Sequence, residues 1–133
     1  MLKLLVTAAI STLSITATAF AKPTCIQGSI DVSADLGVSE ARCIETSARK
    51  ATMLNARAIC ARERKHLCAI EELMAATAYP QMTWTGREWL GFEQASTYRM
   101  MTFTYDDINR RQSQVEILVY WGEASFRCCV SED

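Results

Sequence analysis

The sequence predicts an α+β fold, two N-terminal helices packed on a small antiparallel sheet and stapled by disulfides. Three observations predict it. A stretch ending at Lys65 has helical composition and contains neither Gly nor Pro. A shorter stretch repeats apolar residues at helical spacing and stops at Pro80. From Trp89 onward the apolar period changes from that of a helix to that of a strand.

Residues 1–21 read as a signal peptide. Met1, Leu2 and Lys3 form a short basic start, Leu4 to Phe20 is a run of 17 residues without a charge, and Ala19-Phe20-Ala21 has the small-x-small pattern of a cleavage site. Six Ser and Thr dilute the run, so a cleaved leader fits better than a membrane anchor. Cys25 follows Lys22-Pro23-Thr24 rather than a small apolar lipobox, which argues against a lipoprotein. Residues 22–133 then form one expected domain of 112 residues with no further span, located in the periplasm or secreted. The charges, 14 Lys and Arg against 15 Asp and Glu, give no general pull toward nucleic acid or an anionic membrane. Six cysteines suit an oxidising compartment.

Lys22 to Leu36 reads as irregular, punctuated by Gly28, Asp31, Asp35 and Gly37, with a short strand around Cys25 to Ile30. A long helix is predicted from Ser39 or Ile44 to Lys65. Ala48, Ala51, Leu54, Ala58 and Ala61 form its apolar stripe, and its ends complement the helix dipole with Glu40 and Glu45 at the start and Arg62, Arg64, Lys65 and His66 at the close. The second helix covers Ile70 to Tyr79, with Ile70, Leu73, Met74, Thr77 and Ala78 on one face and Glu71 and Glu72 in the first turn. Strands are expected at Trp89 to Phe92, Tyr98 to Thr104, Val115 to Trp121 and Phe126 to Val130. Val115, Ile117, Val119 and Trp121 share an inward face, and Gly122 to Ser125 joins the last two strands as a hairpin.

These residues resemble a known family. Ala58-Ile59-Cys60 followed by His66-Leu67-Cys68-Ala69-Ile70-Glu71-Glu72-Leu73 is similar to the junction of the two helices in C-type lectin-like domains. Trp89-Leu90-Gly91-Phe92 resembles their Trp-Ile-Gly-Leu core strand, and Phe126-Arg127-Cys128-Cys129-Val130 their closing strand. Leu67-Cys68 to Leu73 and Phe126-Arg127-Cys128 also look like the formylglycine-generating-enzyme branch of that fold. The resemblance runs in order from Ile44 to Val130 and implies a disulfide from the first helix to the closing strand.

The departures bear on function. Calcium-dependent sugar-binding members carry Glu-Pro-Asn or Gln-Pro-Asp and Trp-Asn-Asp, where this chain has Tyr79-Pro80-Gln81 and Tyr120-Trp121-Gly122-Glu123. Asp106, Asp107 and Asn109 offer a few oxygens, fewer than calcium requires, so no metal site is expected. The copper-binding cysteine pair of the formylglycine enzyme is unmatched. Cys60 and Cys68 lack zinc spacing and no Cys-x-x-Cys exists. Cys128 and Cys129, adjacent in a strand, point to opposite faces and can staple two elements. The favoured pairing is Cys25–Cys43, with Cys60 and Cys68 each taking one of Cys128 and Cys129.

Catalytic constellations are thin. His66 is the only histidine and reads as a solvated residue at a helix end, while Glu88 and Glu93 read as solvated charges flanking the Trp89 strand rather than a glycosidase pair. Arg57, Arg62, Arg64 and Lys65 could attract an anion, diluted by Glu63. Aromatic residues point to a surface instead. Trp89 and Trp121 are assigned to the core, and Trp84, Tyr105 and the polar loop from Asp106 to Gln114 to a binding face. The expected ligand-binding residues are Trp84, Tyr105, Asp106, Asn109 and Arg110, with Trp84 and Tyr105 replaceable by Ala at almost no cost in stability. The expectation is an exported, non-enzymatic recognition module that binds an envelope or extracellular glycan or protein without metal or cofactor. The alternative is a small exported enzyme or enzyme inhibitor.

Overall fold

A computed structural model describes residues 25–96, 99–106, 108–109, 111–119 and 121–131, with backbone alone for 92–96, 99 and 111–119. The expected signal peptide lies outside them. The elements run β1 (Ser29–Asp31), α1 (Ser33–Leu36), β2 (Arg42–Glu45), β3 (Arg49–Thr52), α2 (Met53–Arg62), β4 (His66–Leu67), α3 (Ile70–Ala76), β5 (Glu88–Ser96), β6 (Arg99–Asp106), β7 (Arg111–Val119), β8 (Glu123–Phe126) and β9 (Cys128–Ser131). The α+β class is as expected, but among the described residues three helices replace two and the strands form two sheets. A four-stranded sheet has the order β1-β2-β9-β4, and a five-stranded sheet the order β3-β8-β5-β6-β7, in which β5 and β8 run parallel.

The long predicted helix is the main correction. Its first half is two strands, β2 paired with β1 and β9, and β3 paired with β8. Only Met53–Arg62 is helical. Thr52 caps it, its Oγ1 accepting from the Asn55 N–H at 3.4 Å. The buried face is Met53, Ala56 and Cys60, and Leu54, assigned to the apolar stripe, is 58% exposed. The second helix is shorter than predicted, ending at Ala76 with Thr77 as its C-cap, and Met74 is exposed. Glu72 accepts from the Ala69 N–H at 2.8 Å and so satisfies a free donor at the helix start.

At the C-terminal end the expected hairpin between the last two strands is absent. β7 pairs antiparallel with β6, so much of the polar loop from Asp106 to Gln114 is strand. The run Phe126 to Val130 breaks at Arg127, where the chain leaves one sheet for the other: β8 joins β3 and β5, and β9 joins β2 and β4. Trp121 is 60% exposed, which corrects its assignment to the core. Trp89 is fully buried and its Nε1–H donates to the Ala51 carbonyl at 2.8 Å.

The alternation along β5 divides the core. Trp89 packs with Met53, Ala56, Leu67 and Phe126, while Leu90 packs with Val32, Ile44, Leu73 and Phe103. Cys128 and Cys129 divide in the same way. The disulfides are Cys25–Cys43, Cys60–Cys128 and Cys68–Cys129, which assigns the two partners that the sequence left open. Among the described residues no helix is long and apolar enough to cross a membrane.

Gly91 lies where β5 passes β4. Its N–H donates to the Cys68 carbonyl at 3.0 Å, and a Cβ there would run into the Leu67 carbonyl oxygen. The obstacle is backbone held in a ladder, so it does not yield. Gly91→Ala is expected to lower stability by about 1–3 kcal/mol, the usual range for overpacking, read as an earlier urea midpoint. An unchanged midpoint would mean that β4 and β5 part freely.

Candidate functional site

The site is built outward from a buried ion pair. Arg127 and Glu88 are both fully buried, and the Arg127 Nε donates to the two Glu88 oxygens at 2.9 and 3.0 Å. Nη1 donates to the Glu45 carbonyl at 2.9 Å and Nη2 to the Thr83 carbonyl. Burial pushes the Glu88 carboxyl up from its ordinary value, and the Arg127 charge pulls against that shift. Glu88 is thus a locked structural group, not the solvated strand-end charge expected; the Glu93 side chain lies outside the described set.

The segment after α3, pinned at the Thr83 carbonyl, lays the Trp84 ring over the Arg127 guanidinium at 4.8 Å. Trp84 also meets Phe103 at 5.9 Å and Tyr105 at 5.2 Å, the latter with the ring planes 60° apart. Tyr79, in the turn beyond α3, completes the group. Its hydroxyl donates to Asp35 Oδ2 at 2.5 Å and lies 3.2 Å from the Asp31 carbonyl. Beside Tyr79, Trp84 and Tyr105 is a cavity of about 560 Å³, lined also by Thr77, Ala78, Pro80 and Met82.

The Asp35 carboxylate accepts the Tyr79 proton, and its charge opposes ionisation, so the Tyr79 pKa is pushed up to about 12. A pKa raised in the fold means that the bond stabilises fully below about pH 10, where an unfolded tyrosine starts to ionise. That contribution is lost as pH rises through about 12. Absorbance at 295 nm should show a late tyrosinate step near pH 12 that Tyr79→Phe removes. A late step that survives the substitution would place the Asp35 contact elsewhere.

Of the five expected ligand-binding residues, Trp84 and Tyr105 come together in the cavity wall. Asp106 and Asn109 bond to one another in the β6–β7 turn. Asp106 Oδ1 accepts from the Ile108 and Asn109 N–H groups at 3.1 Å each, and Oδ2 from Asn109 Nδ2 at 2.6 Å. Arg110 and Asp107 lie outside the described residues. Trp84 and Tyr105 are half-buried and pack against the core, so their removal by Ala is expected to cost stability, a larger effect than the sequence alone led us to expect. Tyr79, Asp35 and Arg127 were missed. A lone arginine amid the apolar Phe126 to Val130 run was the available signal for Arg127; Tyr79 read only as a helix end.

The other polar clusters are closed. His66 is half-buried rather than solvated, its Nε2 2.9 and 3.0 Å from the Glu72 oxygens. Lys65, assigned to a basic cluster, pairs with Glu45 at 3.0 Å and Glu63 at 3.7 Å. Among the described residues, two groups have the spacing of metal ligands, His66 with Glu72 and Cys129, and Glu45 with Glu63 and Cys128. In each the sulfur is held in a disulfide, which removes the thiolate that would bind. No protein-family model, curated protein or solved structure matches the chain.

Proposed function

We propose that the chain is an exported, non-enzymatic recognition module of C-type-lectin-like fold, which binds a glycan or protein ligand of the envelope or extracellular space without metal. The observation that carries the reading is the aromatic cavity between Tyr79, Trp84 and Tyr105. Concave sites walled by aromatic side chains are a common form of ligand pocket, and rigid rings bind at little entropic cost. The walls are preset, since Trp84 is clamped by Arg127 and Phe103, and Tyr79 by Asp35. The family reading draws support from the cystine joining α2 to β9 and from the central place of Trp89-Leu90-Gly91 in the core. A non-catalytic role agrees with the state of the reactive groups: Glu88 is clamped, His66 is bonded to Glu72, and each of the six cysteines is in a disulfide. Those disulfides accord with the periplasm or the exterior.

The test is capture from periplasm and envelope extract, together with a glycan array, by the chain from Lys22 onward. Ala78 is exposed and lines the cavity, so Ala78→Arg plugs it while leaving the core alone. Ala78→Arg should reduce capture at least about tenfold, the scale of a lost anchor, with thermal stability unchanged and no turnover of any ligand. Equal capture by both proteins would remove the cavity from the function.

A further inference from the structure

We propose that the cavity between Tyr79, Trp84 and Tyr105 takes an organic cation of the quaternary ammonium type, such as a choline or trimethylammonium head group. The inference rests on the cavity being the recognition site and adds the chemical class of what enters it. The rings of Trp84 and Tyr105 meet at 60° with centroids 5.2 Å apart, so they are not one flat platform, and both residues line the cavity. Tyr79 lines the same space, its hydroxyl proton committed to Asp35 at 2.5 Å. Three aromatic side chains lining one volume favour a diffuse positive charge, which gives up little hydration when it enters.

The surrounding charge points the same way. Among the described side chains, no Lys or Arg lines the cavity. Arg127 stacks on the Trp84 ring at 4.8 Å, and its charge is matched by Glu88 at 2.9 Å. Asp35 is exposed and one hydrogen bond from the lining, and Asp31 acts on Tyr79 in the same sense. The field at the mouth is therefore negative, which attracts cations and disfavours phosphates and carboxylates. A volume of about 560 Å³ exceeds a trimethylammonium group, leaving room for the chain that carries it.

Calorimetric titration of the chain from Lys22 onward with choline chloride tests the proposal, with 3,3-dimethylbutan-1-ol as the uncharged isostere. Choline should bind at least about tenfold tighter than the isostere, the scale of one desolvated cation–π contact. Tyr105→Leu, which keeps apolar bulk, and Asp35→Asn, which keeps the hydrogen-bond acceptor, should each weaken choline several-fold. Ala78→Arg should abolish binding. Phosphatidylcholine vesicles and a trimethyllysine peptide then separate a lipid source of the head group from a protein one. Equal affinity for choline and its isostere overturns the proposal. If choline fails while a neutral oligosaccharide or peptide binds in a manner blocked by Ala78→Arg, the recognition reading stands and the cation falls. If Ala78→Arg affects no ligand, both fall.

Discussion

Replacing Arg127 by Met is expected to cost about 3–5 kcal/mol, the penalty for stranding a buried charge. The substitution leaves Glu88 fully buried without its partner and releases the carbonyls of Glu45 and Thr83. It also removes the support beneath Trp84, so any ligand held by the cavity should be lost with it. Urea unfolding measures the first effect. Adding Glu88→Gln should recover part of the loss, because no charge is then left in the core, and the double-mutant cycle gives the coupling between the two residues. A cost below about 1 kcal/mol would mean that water reaches Glu88 and that the pair is not the clamp described.

The second large effect is collective. Cys60–Cys128 and Cys68–Cys129 span 68 and 61 residues and both fasten β9. With either in place, the other closes a loop of only about ten residues, worth about 2.5 kcal/mol in the chain-entropy model, whereas the first to form is worth about 4.4 kcal/mol. Removing one as a Cys-to-Ala pair should therefore cost about 2.5 kcal/mol, and removing both about 7 kcal/mol, enough to unfold most domains of this size. Circular dichroism and denaturant midpoints of the two pair variants and the quadruple variant settle this. Strictly additive losses would show that β9 is held by its ladder with β2 and not by the cystines.

The helices and strands with local causes were legible in the sequence. Ile70–Ala76 has its acidic first turn and Pro80 beyond it, and β5 and β6 fall where Trp89 to Phe92 and Tyr98 to Thr104 were read as strands, each longer than read. The segment from Arg42 to Thr52 was not. Its Ala, Arg, Glu and Lys suit a helix, and pairing with β1, 12 to 16 positions earlier, and with residues 71 to 89 positions later makes it two strands. Nothing local announces such a partner. The helix after it kept the helical period but not the phase, since Met53, Ala56 and Cys60 are buried where Leu54, Ala58 and Ala61 had been assigned.

The site was half legible for a similar reason. Trp84 and Tyr105 stand out as aromatics between polar residues, and they do meet. Asp106 and Asn109 are polar because a two-strand turn needs side-chain acceptors and donors, a local demand that imitates a binding loop. Tyr79 joins the wall through Asp35, 44 positions earlier, and Trp84 rests on Arg127, 43 positions later. Those contacts follow from how the two sheets are joined at Arg127, and no spacing in the sequence reveals them.

The three tryptophans offer the most direct measurement of the central claim, that the cavity beside Trp84 is where the ligand binds. Their indole N–H signals are separate reporters: Trp84 in the cavity wall, Trp89 buried and bonded to Ala51, and Trp121 exposed. In a nitrogen-labelled sample titrated with choline and then with envelope glycan fragments and peptides, the Trp84 signal should shift in proportion to occupancy while Trp89 and Trp121 stay in place. Saturable movement of Trp121 with Trp84 unmoved would contradict the claim and put the ligand on another face.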